Sequence, residues 1–377
     1  MHTVALEEFA GYAVRASPFV RGQLAVATAA NYGIVGHGRL QCVMAGQGIA
    51  TFTTSCGLYD CCWSERSPSV ILAAGSDGSI RLYDLEAHTG GRPITVFNEH
   101  VGEVSSVEWN LVLKETFASS SWDGTVKVWA PERSSALLTL GTNTASRAYE
   151  ARWAPHHASL LLSTNGDGTV TMWDPSVGTM PVAAFSCDGS EVLTADWNKY
   201  DANIFVTGSV DRAVRLWDVR HAQVPLHVQP AHDAAVRKLR FSPHTRSLLL
   251  SASYDTSVRL WDTAPNGILA GSAAAAPPWP PPASLALAAA ERASPSALPA
   301  AVDSAPCSRD LHAGTWGAGS VGATGGACGS EPYGGFAQLN LFPHHDEFVM
   351  GLEWSLFEDG MAASCGWDRT LVVWKAA

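Results

Sequence analysis

One pattern recurs six times along the chain: SDGSIRLYD (76–84), WDGTVKVWA (122–130), GDGTVTMWD (166–174), VDRAVRLWD (210–218), YDTSVRLWD (254–262) and WDRTLVVWK (367–375). In each, an Asp stands six residues before an aromatic: Asp77 and Tyr83, Asp123 and Trp129, Asp167 and Trp173, Asp211 and Trp217, Asp255 and Trp261, Asp368 and Trp374. The residues between them alternate apolar and polar, which predicts a strand, and the D-G or D-x-T opening predicts a turn. Fourteen residues before each Asp stands a second aromatic: Trp63, Trp109, Trp153, Trp197, Phe241 and Trp354. Nine residues before that comes His100, His232 or His345, with Thr54, Thr144 and Asp188 in the other three units. A supersecondary unit of this size cannot bury its apolar face alone, so the units must stack on one another.

Composition agrees with one large packed array. The chain has 377 residues, of which 46% are hydrophobic and only 16% charged, which excludes disorder of the whole chain. Of its 14 Trp, ten stand at the two repeat positions. With 24 Lys+Arg against 35 Asp+Glu, a net charge of −11 and no basic cluster, nucleic acid is a poor partner. The eight Cys carry no C-x-x-C pair and read as reduced, buried thiols, with no metal site and no cofactor. The N-terminus MHTVALEEFAGY has no secretory pattern and no apolar run is long enough to span a membrane, so an intracellular soluble protein is expected.

These residues resemble the WD-repeat family, in which each repeat of roughly 40–45 residues forms a four-stranded propeller blade. The expectation is an all-β, seven-bladed β-propeller forming one domain over residues 1–377. Six blades are explicit. The runs GYAVRASPF (11–19), LAVATAANYGIV (24–35) and GRLQCV (38–43) supply a seventh at the N-terminus, without its Asp or final Trp, and residues 2–8 are expected to close the ring against the last blade. The resemblance implies a buried polar network tying each blade together: His100 with Asp123 and Trp129, His232 with Asp255 and Trp261, His345 with Asp368 and Trp374. A His–Asp pair repeated in this way is structural, since a catalytic site occurs once. In the three blades without His, the network must be incomplete or closed differently. His345 stands 84 positions after Trp261, where the other such intervals are 15 to 17. The excess, residues 264–335, is rich in Ala, Pro, Gly and Ser and reads as a disordered insertion between blades six and seven. Within it, Trp279 flanked by prolines is the candidate contact and Ser294 a candidate phosphate acceptor.

In this family three positions per blade face the top surface. Here they are Gly57, Tyr59 and Ser76; Glu103, Ser105 and Trp122; Arg147, Tyr149 and Gly166; Glu191, Leu193 and Val210; Ala235, Arg237 and Tyr254; and Phe348, Met350 and Trp367. Strand analogy adds Tyr12 from blade one. Seven of these nineteen positions are aromatic, and exposed aromatics commonly anchor interfaces. Glu103 and Glu191 within that apolar field suit a basic, amphipathic peptide. No G-x-x-x-x-G-K-[ST], H-E-x-x-H or G-x-S-x-G occurs, and nothing in the pattern points to an enzyme.

Beyond the repeat skeleton, GYAVRASPF with LAVATAANYGIVGHGRL, the segment 195–226 containing NKYD, the segment 231–262, and FVMGLEWSLFEDGMAASCGWD (348–368) resemble the peroxin-7 family, receptors for type 2 peroxisomal targeting signals. The resemblance covers residues 10–262 and 343–375 and leaves out the insertion. It implies a non-catalytic cargo receptor that shuttles between cytoplasm and peroxisome, a co-receptor of the long peroxin-5 type, and a peroxisomal docking complex. It implies cargo with an N-terminal nonapeptide of the form Arg/Lys, Leu/Val/Ile, five residues, His/Gln, Leu/Ala. On a helix, positions 1, 2, 8 and 9 of that peptide fall within about 120° of one another, on one face. Glu103 or Glu191 is expected to receive the cation, with Trp122, Leu193, Val210 and Trp367 against the apolar side; Tyr149, Arg237, Tyr254 and Phe348 complete the expected site. The alternative is a generic WD-repeat scaffold, such as a ubiquitin-ligase substrate adaptor or a chromatin-complex subunit.

Overall fold

The computed structural model describes residues 1–44, 46–87, 90–141, 146–264 and 335–377. They form seven four-stranded antiparallel sheets, the blades of a β-propeller. In chain order the blades occupy residues 10–54, 58–97, 104–141, 148–186, 192–230, 236–342 and 349–375. Each recurrent Asp-to-aromatic segment supplies the third strand of its blade, entered through the expected turn. The first strands line the axis, each touching the next, and that of blade seven (Val349–Trp354) touches that of blade one (Ala10–Ala16). His2–Ala5 completes blade seven by pairing antiparallel with Thr370–Lys375, which closes the ring as the sequence led us to expect. Blade one has a fourth strand, Gln47–Thr54, whose Gln, Gly and Thr content gave little apolar signal. Residues 265–334, including Trp279 and Ser294, lie outside the described residues, as does Thr144.

The repeat aromatics fill the spaces between blades. Trp109, Phe117 and Trp129 of blade three pack on Leu72, Ile80 and Phe97 of blade two, and the same arrangement recurs around the ring. In blade three His100 Nδ1 is 2.8 Å from Asp123 Oδ2, His100 Nε2 is 2.8 Å from Ser119 Oγ, and Trp129 Nε1–H donates to the same hydroxyl at 2.8 Å. A carboxylate only accepts, so the proton sits on Nδ1 and the serine hydroxyl donates to Nε2. Blade six repeats this with His232, Asp255, Ser251 and Trp261. Blade seven keeps His345 with Asp368 and Ser364, but the Trp374 indole N–H has no hydrogen-bond partner, so its expected place in that network is corrected. Its ring meets His344 edge-on at 5.1 Å instead. The serine was missed in the sequence, where its spacing from the third-strand aromatic is constant but its chemistry is common.

The blades without His close their networks through the position four residues after the Asp. In blade two Arg81 pairs with Asp77 at 2.6 Å and reaches Cys56 Sγ at 3.1 Å, while Thr54 donates to the Cys56 carbonyl. In blade five Arg215 pairs with Asp211 at 2.5 Å and Asp188 at 3.4 Å. Blade four uses Asn165, which donates to Thr171 and Thr169 while Trp173 donates to Ser163. The six described cysteines are buried and unpaired, and Cys307 and Cys328 lie outside the described residues.

The axis holds charge that the sequence reading did not anticipate. Five cations and five carboxylates, buried or nearly so, interlock across the first strands. Arg15 pairs with Asp60 and Glu353, Arg240 with Glu353 and Glu150, Lys238 with Glu150, Arg152 with Glu108 and Asp196, and Lys199 with Asp196. Four of the carboxylates also accept a backbone N–H from the next blade, those of Val107, Trp153, Ala195 and Phe241. Removal from water opposes charge at Asp60, Glu150 and Asp196, yet the surrounding Arg and Lys hold all three below the usual carboxylate range. A carboxylate with a lowered folded pKa contributes stability above its unfolded value, and that stability is lost as pH falls through the folded value. Thermal melts should therefore be insensitive to these groups at pH 6 and show a falling midpoint below about pH 4. A flat midpoint down to pH 2.5 would contradict this.

Candidate functional site

Blade one departs from its neighbours at the top face. Its second and third strands are joined by eight residues (30–37), where the other blades use three or four. The segment begins with a 3-10 turn, Ala30–Gly33, in which Asn31, Tyr32 and Gly33 have φ of +49°, +55° and +73°. Two tyrosine hydroxyls hold it down: Tyr12 donates to the Tyr32 carbonyl at 2.5 Å and Tyr59 to the Gly33 carbonyl at 2.9 Å. A Cβ at residue 33 would lie 2.5 Å from the Tyr12 hydroxyl, so glycine is needed there for space as well as for φ. The turn leaves Ile34 81% exposed at the edge of the face.

Around the axis the rim aromatics touch in a continuous belt. Trp122 lies 6.0 Å from Tyr59, Tyr59 stacks on Tyr12 at 5.1 Å, and Tyr12 lies 6.1 Å from Trp367. Trp367 then meets Tyr32 and Phe348, each at 5.2 Å, and Phe348 meets Tyr254 at 4.8 Å. These rings are mostly half-buried against one another rather than fully solvent-facing. The belt borders a cavity of about 440 Å³. Among the expected site residues, Glu103, Trp122, Tyr149, Leu193, Arg237, Tyr254 and Trp367 line it, together with Tyr12, Tyr59, Ser105 and Met350. Glu191, Val210 and Phe348 do not. Val210 is exposed, and Glu191 accepts a hydrogen bond from Tyr149 at 3.0 Å. Leu193, Tyr12 and Met350 are buried and form the floor rather than the surface. Sequence reasoning missed Tyr32, Gly33 and Ile34; the signal available was the length of blade one's second-to-third-strand connection.

The electrostatics of the cavity are mixed. The Arg147 guanidinium stands 4.8 Å over the Trp122 ring. Burial above all, then the neighbouring Tyr59, pushes the Tyr12 hydroxyl well above the usual tyrosine range against the opposing pull of Arg237, so it stays protonated and remains a donor. Burial and then the nearby Glu103 carboxylate raise Tyr59 in the same sense. Glu103 itself has neither an ion pair nor a side-chain hydrogen bond among the described residues. Also among the described residues, no three His, Cys, Asp or Glu side chains are grouped to hold a metal, and no helix is long and apolar enough to cross a membrane.

Seven four-stranded blades, three of them with a buried His–Asp–Ser network, and an aromatic top cavity define a WD-repeat propeller, a scaffold that presents binding residues on its faces. Residues 46–84, 91–130, 180–218, 223–262 and 336–375 match the family described as WD domain, G-beta repeat, and the chain belongs to that family. The matches pass over blade four and most of blade one. The chain is similar to a peroxisomal targeting signal 2 receptor of Dictyostelium discoideum, 46% identical over 127 residues, covering 33% of this chain and 40% of that protein. It is also similar to peroxisome biogenesis protein 7 of Arabidopsis thaliana, 44% identical over 131 residues, 33% of this chain and 41% of that protein. A peroxisomal targeting signal 2 receptor of Saccharomyces cerevisiae is 33% identical over 189 residues, 42% of this chain and 50% of that protein. The resemblance read from the sequence thus agrees with these relatives, of whose own length the matches span about 40 to 50%.

Proposed function

We propose that this protein is a non-catalytic receptor that binds an N-terminal, helical type 2 peroxisomal targeting signal on the top face of the propeller and delivers the cargo for import from cytoplasm to peroxisome. The observation that carries the reading is Glu103, an unpaired carboxylate lining an aromatic cavity. A buried-edge carboxylate without a partner favours a ligand cation, and the aromatic belt favours the apolar face beside it. The names of the relatives support the same conclusion. In this reading the first cation of the helix meets Glu103, while its aliphatic residues lie against Trp122, Leu193 and Trp367, a helix-in-groove mode. Glu191, bonded to Tyr149 outside the cavity lining, is the secondary acidic contact. Val210 and Phe348, which do not line the cavity, fit a co-receptor of the long peroxin-5 type that covers cargo and receptor together, before docking at the peroxisomal membrane. The chain would act as one propeller domain interrupted by the insertion.

The test is a titration of purified protein with a helical nonapeptide of the pattern and with the same peptide carrying Asp for its first Arg, each with and without co-receptor. The reversed peptide is expected to bind at least tenfold more weakly, and Glu103→Lys is expected to weaken the original peptide similarly while leaving the melting temperature unchanged. Absence of binding by either peptide under all conditions would return the protein to a generic WD-repeat scaffold. Wild-type affinity in Glu103→Lys would remove the assignment of the cation site.

A further inference from the structure

A second cavity, of about 330 Å³, opens at the seam between blades seven and one, where the ring closes. The repeat explains why it exists. In six blades the last residue pair between the first two strands places an aromatic on the first strand: Trp63 opposite Ile71, Trp109 opposite Phe117, Trp153 opposite Leu161, Trp197 opposite Phe205, Phe241 opposite Leu249 and Trp354 opposite Ala362. In blade one the same register position is Ala16, opposite Leu24. The aromatic of the third strand is missing as well: Leu24 faces Val43, where other blades carry Tyr83 or a Trp. Ala16, Leu24 and Val43 all line the cavity. Ala16 is only half-buried, while all six aromatic counterparts are buried.

The other blades also state what completes such a place. Trp63, Trp197 and Trp354 each lie against the preceding blade and donate the indole N–H to the carbonyl just before that blade's own aromatic position, Arg15, Arg152 and Arg240, at 3.0, 3.2 and 3.0 Å. The corresponding residue for blade one is Glu353, and it lines the seam cavity beside Trp354, Leu371 and Val373. At the mouth, Leu356 and Phe357 are 44% and 45% exposed, which leaves an apolar rim.

We propose that the seam cavity is a docking pocket for a single aromatic side chain, indole-sized, presented by a partner polypeptide, which takes the place that the blade's own Trp takes elsewhere in the ring. The guest ring would lie on Trp354 and the aliphatic wall, and its N–H would reach the Glu353 carbonyl. The size of the cavity is at the small end of ligand pockets, suited to one anchor residue rather than a groove-filling segment. This site lies apart from the top-face residues and does not depend on the reading of them.

The probe is an acetylated, amidated Gly-Ser-Trp-Ser-Gly peptide, titrated by NMR into the full chain, against the same peptide with Ser for Trp. The Trp peptide is expected to bind saturably and the Ser peptide to bind at least tenfold more weakly. Ala16→Trp is expected to fill the pocket, raise the melting temperature by roughly 2–4 °C and abolish binding of the Trp peptide. Should Ala16→Trp not fold, Val43→Phe occupies the same space and must weaken the probe at least fivefold. Equal affinity of the Trp peptide for wild-type and filled variants overturns the proposal, as does equal binding of the two peptides. Glu103→Lys should leave the Trp peptide's affinity unchanged, so a failure here is separable from a failure of the top-face reading.

Discussion

Glu150→Ala is expected to cost about 3–5 kcal/mol of folding stability, the scale for removing one partner from a buried ion pair. Glu150 is 1% exposed and holds three groups at once: Lys238 at 2.7 Å, Arg240 at 3.6 Å and the Ala195 N–H at 3.2 Å. Its loss leaves two cations facing each other in the axis with water excluded. The acceptor for blade five's backbone disappears with it, so the blade-to-blade tie is cut along with the charge balance. Burial already pushes Lys238 down to about 8, against the attraction of Glu150. Without that attraction it falls further and becomes neutral near pH 7. A lysine whose folded pKa lies below its unfolded value leaves the unfolded chain binding more protons, so stability rises with pH between the two values. The variant's denaturation midpoint should consequently recover in part between pH 6 and pH 9. The wild type should show a weaker rise confined to the range above about 8. Glu150→Ala combined with Lys238→Met removes charge of both signs and should restore a large part of the loss. A single variant within about 0.5 kcal/mol of wild type in urea would show that the axial pairs hold nothing together.

Trp122→Ala is expected to weaken binding of the helical nonapeptide by roughly thirtyfold or more, the range of an aromatic hot spot. Trp122 lines the cavity, continues the belt through Tyr59 and carries the Arg147 guanidinium on its other side. It is half-buried on the rim and at the turn into its strand, so its truncation leaves the core aromatics Trp109 and Trp129 in place and the melting temperature should move little. Val210→Ala serves as the matched control. Val210 holds the equivalent position in blade five, yet it is 45% exposed and outside the cavity lining. Its truncation should change peptide affinity by no more than two- to threefold. Equal losses in the two variants, measured by calorimetry, would mean that the peptide does not lie in this cavity.

Much of the molecule was legible from spacing because each blade is built by local contacts. The Asp-to-aromatic interval fixes a turn and a strand, and the earlier aromatic and His fix where that strand packs, all within one unit of about 44 residues. Hence six of the blades could be read directly, while the resemblance to WD repeats implied the pairs His100–Asp123, His232–Asp255 and His345–Asp368 and the closure by residues 2–8, of which residues 2–5 form the strand. The repeat also hid things. Arg81 and Arg215 stand in the place of the missing histidines, but four residues after an Asp an arginine looks like any solvated strand residue. Trp374 keeps the repeat position without the bond that its counterparts make.

By itself the sequence determined six repeating units and the turn and strand within each, and with the family resemblance it gave the seventh blade and a rim rich in aromatics. Only the tertiary structure decided which rim residues converge. It drew Glu103, Trp122, Leu193, Arg237 and Trp367 into one cavity, left Val210 and Phe348 outside its lining, and brought in Tyr32 and Ile34 from a connection with no repeat signal. It alone also revealed the axial ion pairs and the unfilled position at Ala16. The physical reason is one of distance along the chain. Spacing reports contacts inside a blade, whereas the axis, the top cavity and the seam are each built by side chains from different blades, whose convergence depends on how the closed ring turns each strand.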